Sequence, residues 1–260
     1  MTDLATRREG IDAGALWRLY GQGASQVWRA AERGESRLVW GAALTMSGES
    51  HADMNVGIVD AGPRAEEHLR RFAAVLRERG LPGYLVLTAG VADELGPTAH
   101  DLRLAPRGTT ALMVRGPAHA PRSGGEFAAG RLDDPAEAAA LAGVLAAAWA
   151  VPGELMDRAL GPAALSAPGV DLFLARDTAT GAPASAAVST VTGGAVGVWA
   201  VSTVPRQRGR GAARAVLAAL LRHHRAAPGP FYLTAASARP LYEAFGFETA
   251  AEGVVWDVPA

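Results

Sequence analysis

The sequence predicts an α/β protein made of two related halves, on three observations. Residues 198–201 (VWAV) are a short apolar run with β-preferring side chains, and Pro205 then removes an N–H and fixes φ, which ends a strand there. A glycine-rich stretch leads on into Ala215, Val216, Leu217, Ala219, Leu220 and Leu221, spaced for the buried face of a helix. Pieces of this pattern recur upstream. Val59 and Pro63-Arg64 match Val201 and Pro205-Arg206 at a separation of 142, and Pro82 with Leu87-Thr88-Ala89 matches Pro228 with Leu233-Thr234-Ala235 at 146. The difference is about one helical turn, so the second copy is expected to carry the longer helix between its strands. Between the copies, residues 116–125 (GPAHAPRSGG) are dense in Pro, Gly and Ser and lack an apolar period, as a linker does.

The elements follow in order. Residues 16–31 read as a helix, 36–45 and 52–59 as strands, and 63–79 as a helix. Residues 84–89 give a strand, 92–95 at most a short helix, and 102–104 with 109–114 a closing hairpin. After the linker, 127–132 is a strand, and Asp134, Pro135 and Glu137 mark the start of a helix that runs through 139–149. Pro152 and Gly153 break it, and 154–160 begins another short helix. Strands at 170–175 and 184–191, a turn at Gly193-Gly194, and the strand, helix, strand, short helix and hairpin order of the first half then complete the second.

At 260 residues the chain has room for two ordinary domains, which divide as 1–115, a linker at 116–126, and 127–260. No apolar run approaches the roughly 18 residues of a membrane span, and MTDLATRREGID lacks the apolar core of a secretory leader. A soluble cytoplasmic protein without a membrane partner is expected. With no Cys there is no disulfide, thiolate metal site or Cys nucleophile. The six His show no compact ligand spacing apart from adjacent His223-His224, so no metal is expected, and that pair is read as stabilising a helix C-terminus. A net charge of -1 gives no field to recruit nucleic acid, and every basic residue is Arg.

Residues 208–213 (RGRGAA) place small or flexible residues where a backbone can approach a ligand, just at a helix start whose unpaired N–H groups and dipole attract an anion. A diphosphate suits that position. Val201-Ser202-Thr203, Pro205 and Arg208-x-x-Gly211-x-Ala213, lying between a strand and a helix, resemble the acyl-CoA signature of the GNAT superfamily of N-acetyltransferases, Arg/Gln-x-x-Gly-x-Gly/Ala. Downstream, the FYLTA run at 231–235 and SARPLYEAFGF at 237–247 resemble the next strand of that family and its Tyr-bearing short helix closing on Gly-Phe. The resemblance covers about residues 190–250.

The resemblance implies two tandem GNAT-like domains, each a mostly antiparallel central sheet flanked by helices, with acetyl-CoA as co-substrate and no metal. It implies that the backbone of Val201, Ser202 and Thr203 bonds the pantetheine arm, along an edge left open by a bulge. The N–H groups of Arg208, Gly209, Arg210, Gly211, Ala212 and Ala213 would hold the pyrophosphate; a solvated charge run is the plainer account of Arg206, Arg208 and Arg210. Tyr242 is implied as the catalytic residue, protonating the departing CoA thiolate, against the alternative of a space-filling core Tyr. Trp149, Pro152, Glu154 and Asp157 are acceptor contacts by the same resemblance. The strand at 195–201 lacks the carboxylate base that some members carry, leaving water, or one of His51, Asp53, Glu154 and Asp157, to take the proton.

The first half departs from the signature. At the separation of 142, Arg208, Gly209, Gly211 and Ala213 fall opposite Glu66, Glu67, Leu69 and Arg71, which sets carboxylates and bulk against a diphosphate. At 146, Tyr242 falls opposite Gly96. The expected function is therefore acetyl transfer from acetyl-CoA to a primary amine of a small molecule or peptide, in a ternary complex, by the second half of a tandem pair. The alternative is a non-catalytic acyl-CoA-binding or scaffold protein. The acceptor, the acyl chain and the oligomeric state are left open.

Overall fold

The computed structural model describes residues 12–39, 41–116 and 125–260. The N-terminal residues 1–11 and linker residues 117–124 lie outside the described residues. Asp12 opens the first helix, α1 (Ala13–Arg29), by accepting the Gly14 N–H at 2.9 Å. A hairpin of β1 (Glu35–Val39) and β2 (Ala42–Met46) stands where one strand over 36–45 is predicted. Gly41, at φ +75°, takes the left-handed conformation that its turn demands. A 3-10 turn at Ala52–Met54 leads into β3 (Asn55–Val59), α2 (Ala65–Glu78) and β4 (Gly83–Thr88). Helix α3 (Ala92–Asp101) outruns its predicted four residues: Pro97 inside it removes only one hydrogen bond, while buried Leu95 and Ala99 keep it packed. Strand β5 (Ala105–Arg115) follows.

The second half contains β6 (Phe127–Arg131), α4 (Pro135–Trp149), α5 (Gly153–Leu160) and a short α6 (Pro162–Leu165). Asp134 caps α4 through the Ala136 N–H at 2.8 Å, as its place before Pro135 predicts. Then come β7 (Val170–Asp177), β8 (Pro183–Thr192), β9 (Ala195–Thr203), α7 (Ala212–His223), β10 (Phe231–Ala235), α8 (Arg239–Glu243) and β11 (Glu248–Val258). The order β3-α2-β4-α3-β5 recurs as β9-α7-β10-α8-β11, as the repeat predicts. The added residues of the second copy fall in its loops, contrary to the expectation of a longer helix, since α2 has 14 residues and α7 has 12.

All the strands of the described residues join one 11-stranded sheet in the order β1-β2-β3-β4-β11-β5-β10-β9-β8-β7-β6. Every pairing is antiparallel except β3 with β4 and β9 with β10. The closing hairpin predicted within each half does not form. Instead β5 and β11 are single strands paired with each other, and each lies on its far side against a strand of the opposite half, β5 on β10 and β11 on β4. The exchange satisfies two edges that would otherwise present unpaired backbone groups.

Alternation along the strands sends side chains to two faces. Leu85 and Leu87 of β4 join Leu69, Phe72 and Leu76 of α2, while Phe231 and Leu233 of β10 join Val216 and Leu220 of α7. Val86 and Tyr232, between them, point to the other face, where one cluster under α1, α4 and α5 spans both halves. Arg158 of α5 ties that face together by donating to buried Glu49 at 2.8 and 2.6 Å, which holds the Glu49 carboxyl below its ordinary range.

Helix α1 reaches from the first half onto β8 and β10, and Gly23 permits the approach. A Cβ there would stand 2.2 Å from the Tyr232 hydroxyl and 2.7 Å from the Trp199 ring. Overpacking of that kind costs about 1–3 kcal/mol, which outweighs the roughly 1 kcal/mol that Ala gains over Gly in a helix. Gly23→Ala is expected to lower the urea midpoint at unchanged slope; a midpoint at or above that of the wild type would mean that α1 moves freely over the sheet.

Candidate functional site

β9 and β10 run parallel but share only two register pairs, Phe231↔Val196 and Tyr232↔Gly197, and then part. Beyond that point β9 is paired on its β8 side alone, so one edge of residues 199–203 is without a strand partner. The opening coincides with a bulge. The β8–β9 register shifts between Ala186↔Ser202 and Val188↔Trp199, and Ala200 sits at φ +51°, a conformation that costs an L residue strain and kinks the strand. Val201, Ser202 and Thr203 are half-buried along this edge.

The chain then makes a 3-10 turn at Pro205–Gln207 and passes Gly209 at φ +78° and Gly211 at φ +97°, both left-handed, before α7 begins. Gly211 is the cap residue of α7 and has no side chain to accept a hydrogen bond, and the first turn holds no acid. None of the backbone N–H groups of residues 209–214 meets an acceptor among the described residues. Such a cluster at a positive helix end is a cradle for an anion. The loop is braced rather than loose. Arg208 donates to the carbonyls of Thr203 and Ala148, each at 3.3 Å, and Arg210 donates to Glu126 at 2.6 Å, to buried Asp177 at 3.3 Å and to Gln207. Both guanidinium groups thus hold the loop's shape, and the backbone is what faces outward. An apolar groove of about 490 Å³ between α4 and Pro205-Arg206, lined by small residues such as Ala140, Gly143 and Ala147, adjoins it. A larger groove, about 580 Å³, lies in the first half beside α1, but it adjoins neither the open edge nor the cradle.

Tyr242 lies on α8, 7% exposed, in edge-to-face contact with Phe247. Burial pushes its phenol up to about 12, and its hydroxyl has no hydrogen-bond partner among the described residues. Trp149, at the end of α4, donates its Nε1–H to Ser202 Oγ at 2.8 Å, and the His51 ring from the first half lies against it at 5.3 Å, tilted by 31°. His51 is therefore brought to the open edge, with Nδ1 accepting the Asp53 N–H at 3.3 Å. Asp53 pairs with Arg107 at 2.7 Å, and Glu154 and Asp157 lie on the exposed face of α5. His51 stood in the sequence as one guess among four; its link to Trp149 is a contact across the fold that spacing cannot reveal. Sequence reasoning missed Glu49 and Arg158; the bulge was expected from the resemblance, and the structure centres it on Ala200.

The matching place in the first half is closed. β3 and β4 keep four pairs, from Val56↔Tyr84 to Val59↔Leu87, along the length of β3, so no edge opens. Glu66 and Glu67 stand in the first turn of α2 and answer its dipole. Leu69 is fully buried in the core rather than opposite Gly211: α2 starts closer to its strand than α7 does, so the 142-residue alignment does not hold through the helices.

Residues 181–250, which include the open parallel fork and the uncapped glycine-marked helix start, match the family described as "Acetyltransferase (GNAT) domain". The match is confined to those residues, and what the chain shares over nearly its whole length with solved GNAT-type structures is the fold. Among solved structures it is similar to a GCN5-related N-acetyltransferase from Kribbella flavida, with TM-score 0.65 and 17% identity over 96% of this chain and 97% of that one. It is also similar to one from Sphaerobacter thermophilus, with TM-score 0.61 and 16% identity over 84% and 76%. A tandem GNAT protein from the clavulanic acid biosynthesis pathway aligns with TM-score 0.57 and 13% identity over 96% and 95%. No curated protein sequence matches the chain. No helix among the described residues is long and apolar enough to cross a membrane.

Burial of Tyr242 has a measurable consequence at high pH. Its folded value of about 12 exceeds the ordinary 10, so the unfolded chain releases the proton first and stability is lost as pH rises from about 10 to 12. The difference corresponds to about 3 kcal/mol. Tyr242→Phe is expected to flatten the alkaline limb of a urea-stability curve by about that amount relative to its own value at pH 8. An unchanged limb would overturn the desolvated placement of the phenol.

Proposed function

We propose that this protein transfers acetyl from acetyl-CoA to a primary amine of a small molecule or peptide, by direct attack in a ternary complex. The second half would be the active one, and the first a degenerate copy. The observation that carries this reading is the continuity of the open β9 edge with the uncapped start of α7. Backbone groups of Val201, Ser202 and Thr203 suit a pantetheine arm, and the N–H groups of Arg208, Gly209, Arg210, Gly211, Ala212 and Ala213 suit a diphosphate. The roles of Arg208 and Arg210 in this reading are mainly to shape the loop, since their guanidinium groups are already engaged.

In the transfer, the amine nitrogen bonds to the thioester carbonyl carbon, the C–S bond breaks, and the electron pair leaves on sulfur. Tyr242 is the group we assign to that thiolate. A phenol at about 12 keeps its proton throughout the neutral range. Full transfer to a thiolate of ordinary pKa about 8.5 would be uphill by roughly 5 kcal/mol, so Tyr242 acts mainly by donating a hydrogen bond that steadies the charge. The amine also loses a proton, which passes to solvent water at the open edge; His51 is brought beside that edge through Trp149. With Nδ1 accepting from Asp53, neutral His51 carries its proton on Nε2, which favours orienting the acceptor over taking its proton.

Two measurements test this. Acetyl-CoA is expected to raise the melting temperature, by the equivalent of about 2.7 kcal/mol at 100 times its dissociation constant, with one ligand per chain by calorimetry. Gly211→Glu should abolish both effects, because a carboxylate enters the cradle; two ligands per chain would refute the degenerate-copy reading, and none would refute the site. For the chemistry, Tyr242→Phe should leave acetyl-CoA affinity unchanged and lower kcat on an amine found by panel screening by about two to four powers of ten. An unaltered kcat with chemistry rate-limiting favours the alternative role of Tyr242 as core, and binding without turnover on any amine favours a non-catalytic acyl-CoA binder.

A further inference from the structure

The far end of α7 holds a cluster that the proposed acyl transfer does not use. His223 is the last residue of α7 and His224 follows it; both Nε2 atoms face Asp171 of β7, at 3.9 and 3.4 Å from Oδ2. The three ligand atoms lie within 4.8 Å of one another. We propose that Asp171, His223 and His224 form a binding site for a divalent transition-metal ion of the zinc class. Bonds of 2.0–2.1 Å to a tetrahedral centre separate neighbouring ligands by about 3.3 Å, so the His224 distance already fits and His223 must close by about 0.6 Å. His223 is exposed on one side and meets the Phe173 and His224 rings edge-on, so a small rotation of its ring suffices.

The surroundings agree with ligation. Arg131 of β6 donates to Asp171 at 3.1 Å through the other oxygen, Oδ1, which aims Oδ2 at the imidazoles. Ser189 Oγ stands 2.8 Å from His224 Nε2 and gives up that contact when the nitrogen takes the ion. Two imidazoles and one carboxylate select zinc-like ions over magnesium or calcium, which prefer all-oxygen shells. Three protein ligands leave the fourth position to water on the exposed side. The ion would tether the end of α7 to β7, opposite the end that forms the anion cradle. Sequence spacing gives only the adjacent His pair and hence the expectation of no metal; the third ligand comes from a strand far upstream in the chain.

Calorimetric titration of Zn²⁺ into the metal-free full chain at neutral pH tests the assignment. One ion per chain is expected, with Mg²⁺ giving no heat. His223→Ala and Asp171→Asn should each weaken the affinity by roughly tenfold or more, Arg131→Ala by about 10–100-fold, and His100→Ala, outside the cluster, should leave it unchanged. His223 is exposed, so its variant should fold normally, which far-UV circular dichroism checks. Co²⁺ in place of Zn²⁺ should give visible absorption bands of a four-coordinate site that disappear in His223→Ala. Absence of Zn²⁺ binding, or binding that survives both ligand variants or falls equally in His100→Ala, overturns the proposal.

Discussion

Two parallel strands that begin side by side and then separate are the constraint on which the rest of this molecule turns. β9 and β10 share a ladder only at Phe231↔Val196 and Tyr232↔Gly197. A buried strand edge without a partner is unfavourable in a closed protein, because each free N–H or carbonyl loses its water without replacing it. The opening therefore persists only because neighbouring structure holds it: the bulge at Ala200 bends β9 away, Arg208 occupies the Thr203 carbonyl, and Trp149 anchors Ser202 from the side. A ligand that supplies backbone-like amide groups removes the cost that the free strand bears.

The first half shows what happens when that constraint is relaxed. With the β3–β4 ladder complete and the α2 dipole answered by Glu66 and Glu67, the same succession of elements yields a closed strand edge and an acidic helix start. Its contribution is mechanical and spatial. β5 completes the sheet beside β10, α1 covers the shared face beneath Trp199 and Tyr232, and the segment carrying Glu49 and His51 docks against α5 and Trp149. Because β11 returns the exchange by lying on β4, neither half owns a complete sheet, and the boundary in the chain near residue 116 is not a boundary in the core.

Much of the local structure was legible because its causes are local. Asp134-Pro135 declared the start of α4, Pro152-Gly153 its end, and Pro205 with Gly209 and Gly211 the turn into α7. Local rules misled where a partner elsewhere changed the balance. Residues 92–95 read as at most a short helix, yet packing of Leu95 and Ala99 carries α3 through Pro97. Residues 102–114 read as a hairpin, because short-range pairing is the default for two nearby extended runs, whereas β11 offered β5 a longer and better-buried partner.

The sequence by itself determined the order of elements, its recurrence in the second half and the glycine-marked, uncapped start of α7, since glycines at positive φ, a proline stop and an uncapped first turn depend only on residues next to one another. Only the tertiary structure decided that the two halves trade their last strands, that β9 has an open edge and β3 does not, and that His51 and Asp171 join residues distant in the chain. Those outcomes depend on which strand lies beside which. That choice is made by the summed burial and hydrogen bonding of the whole sheet, which no single stretch of sequence contains.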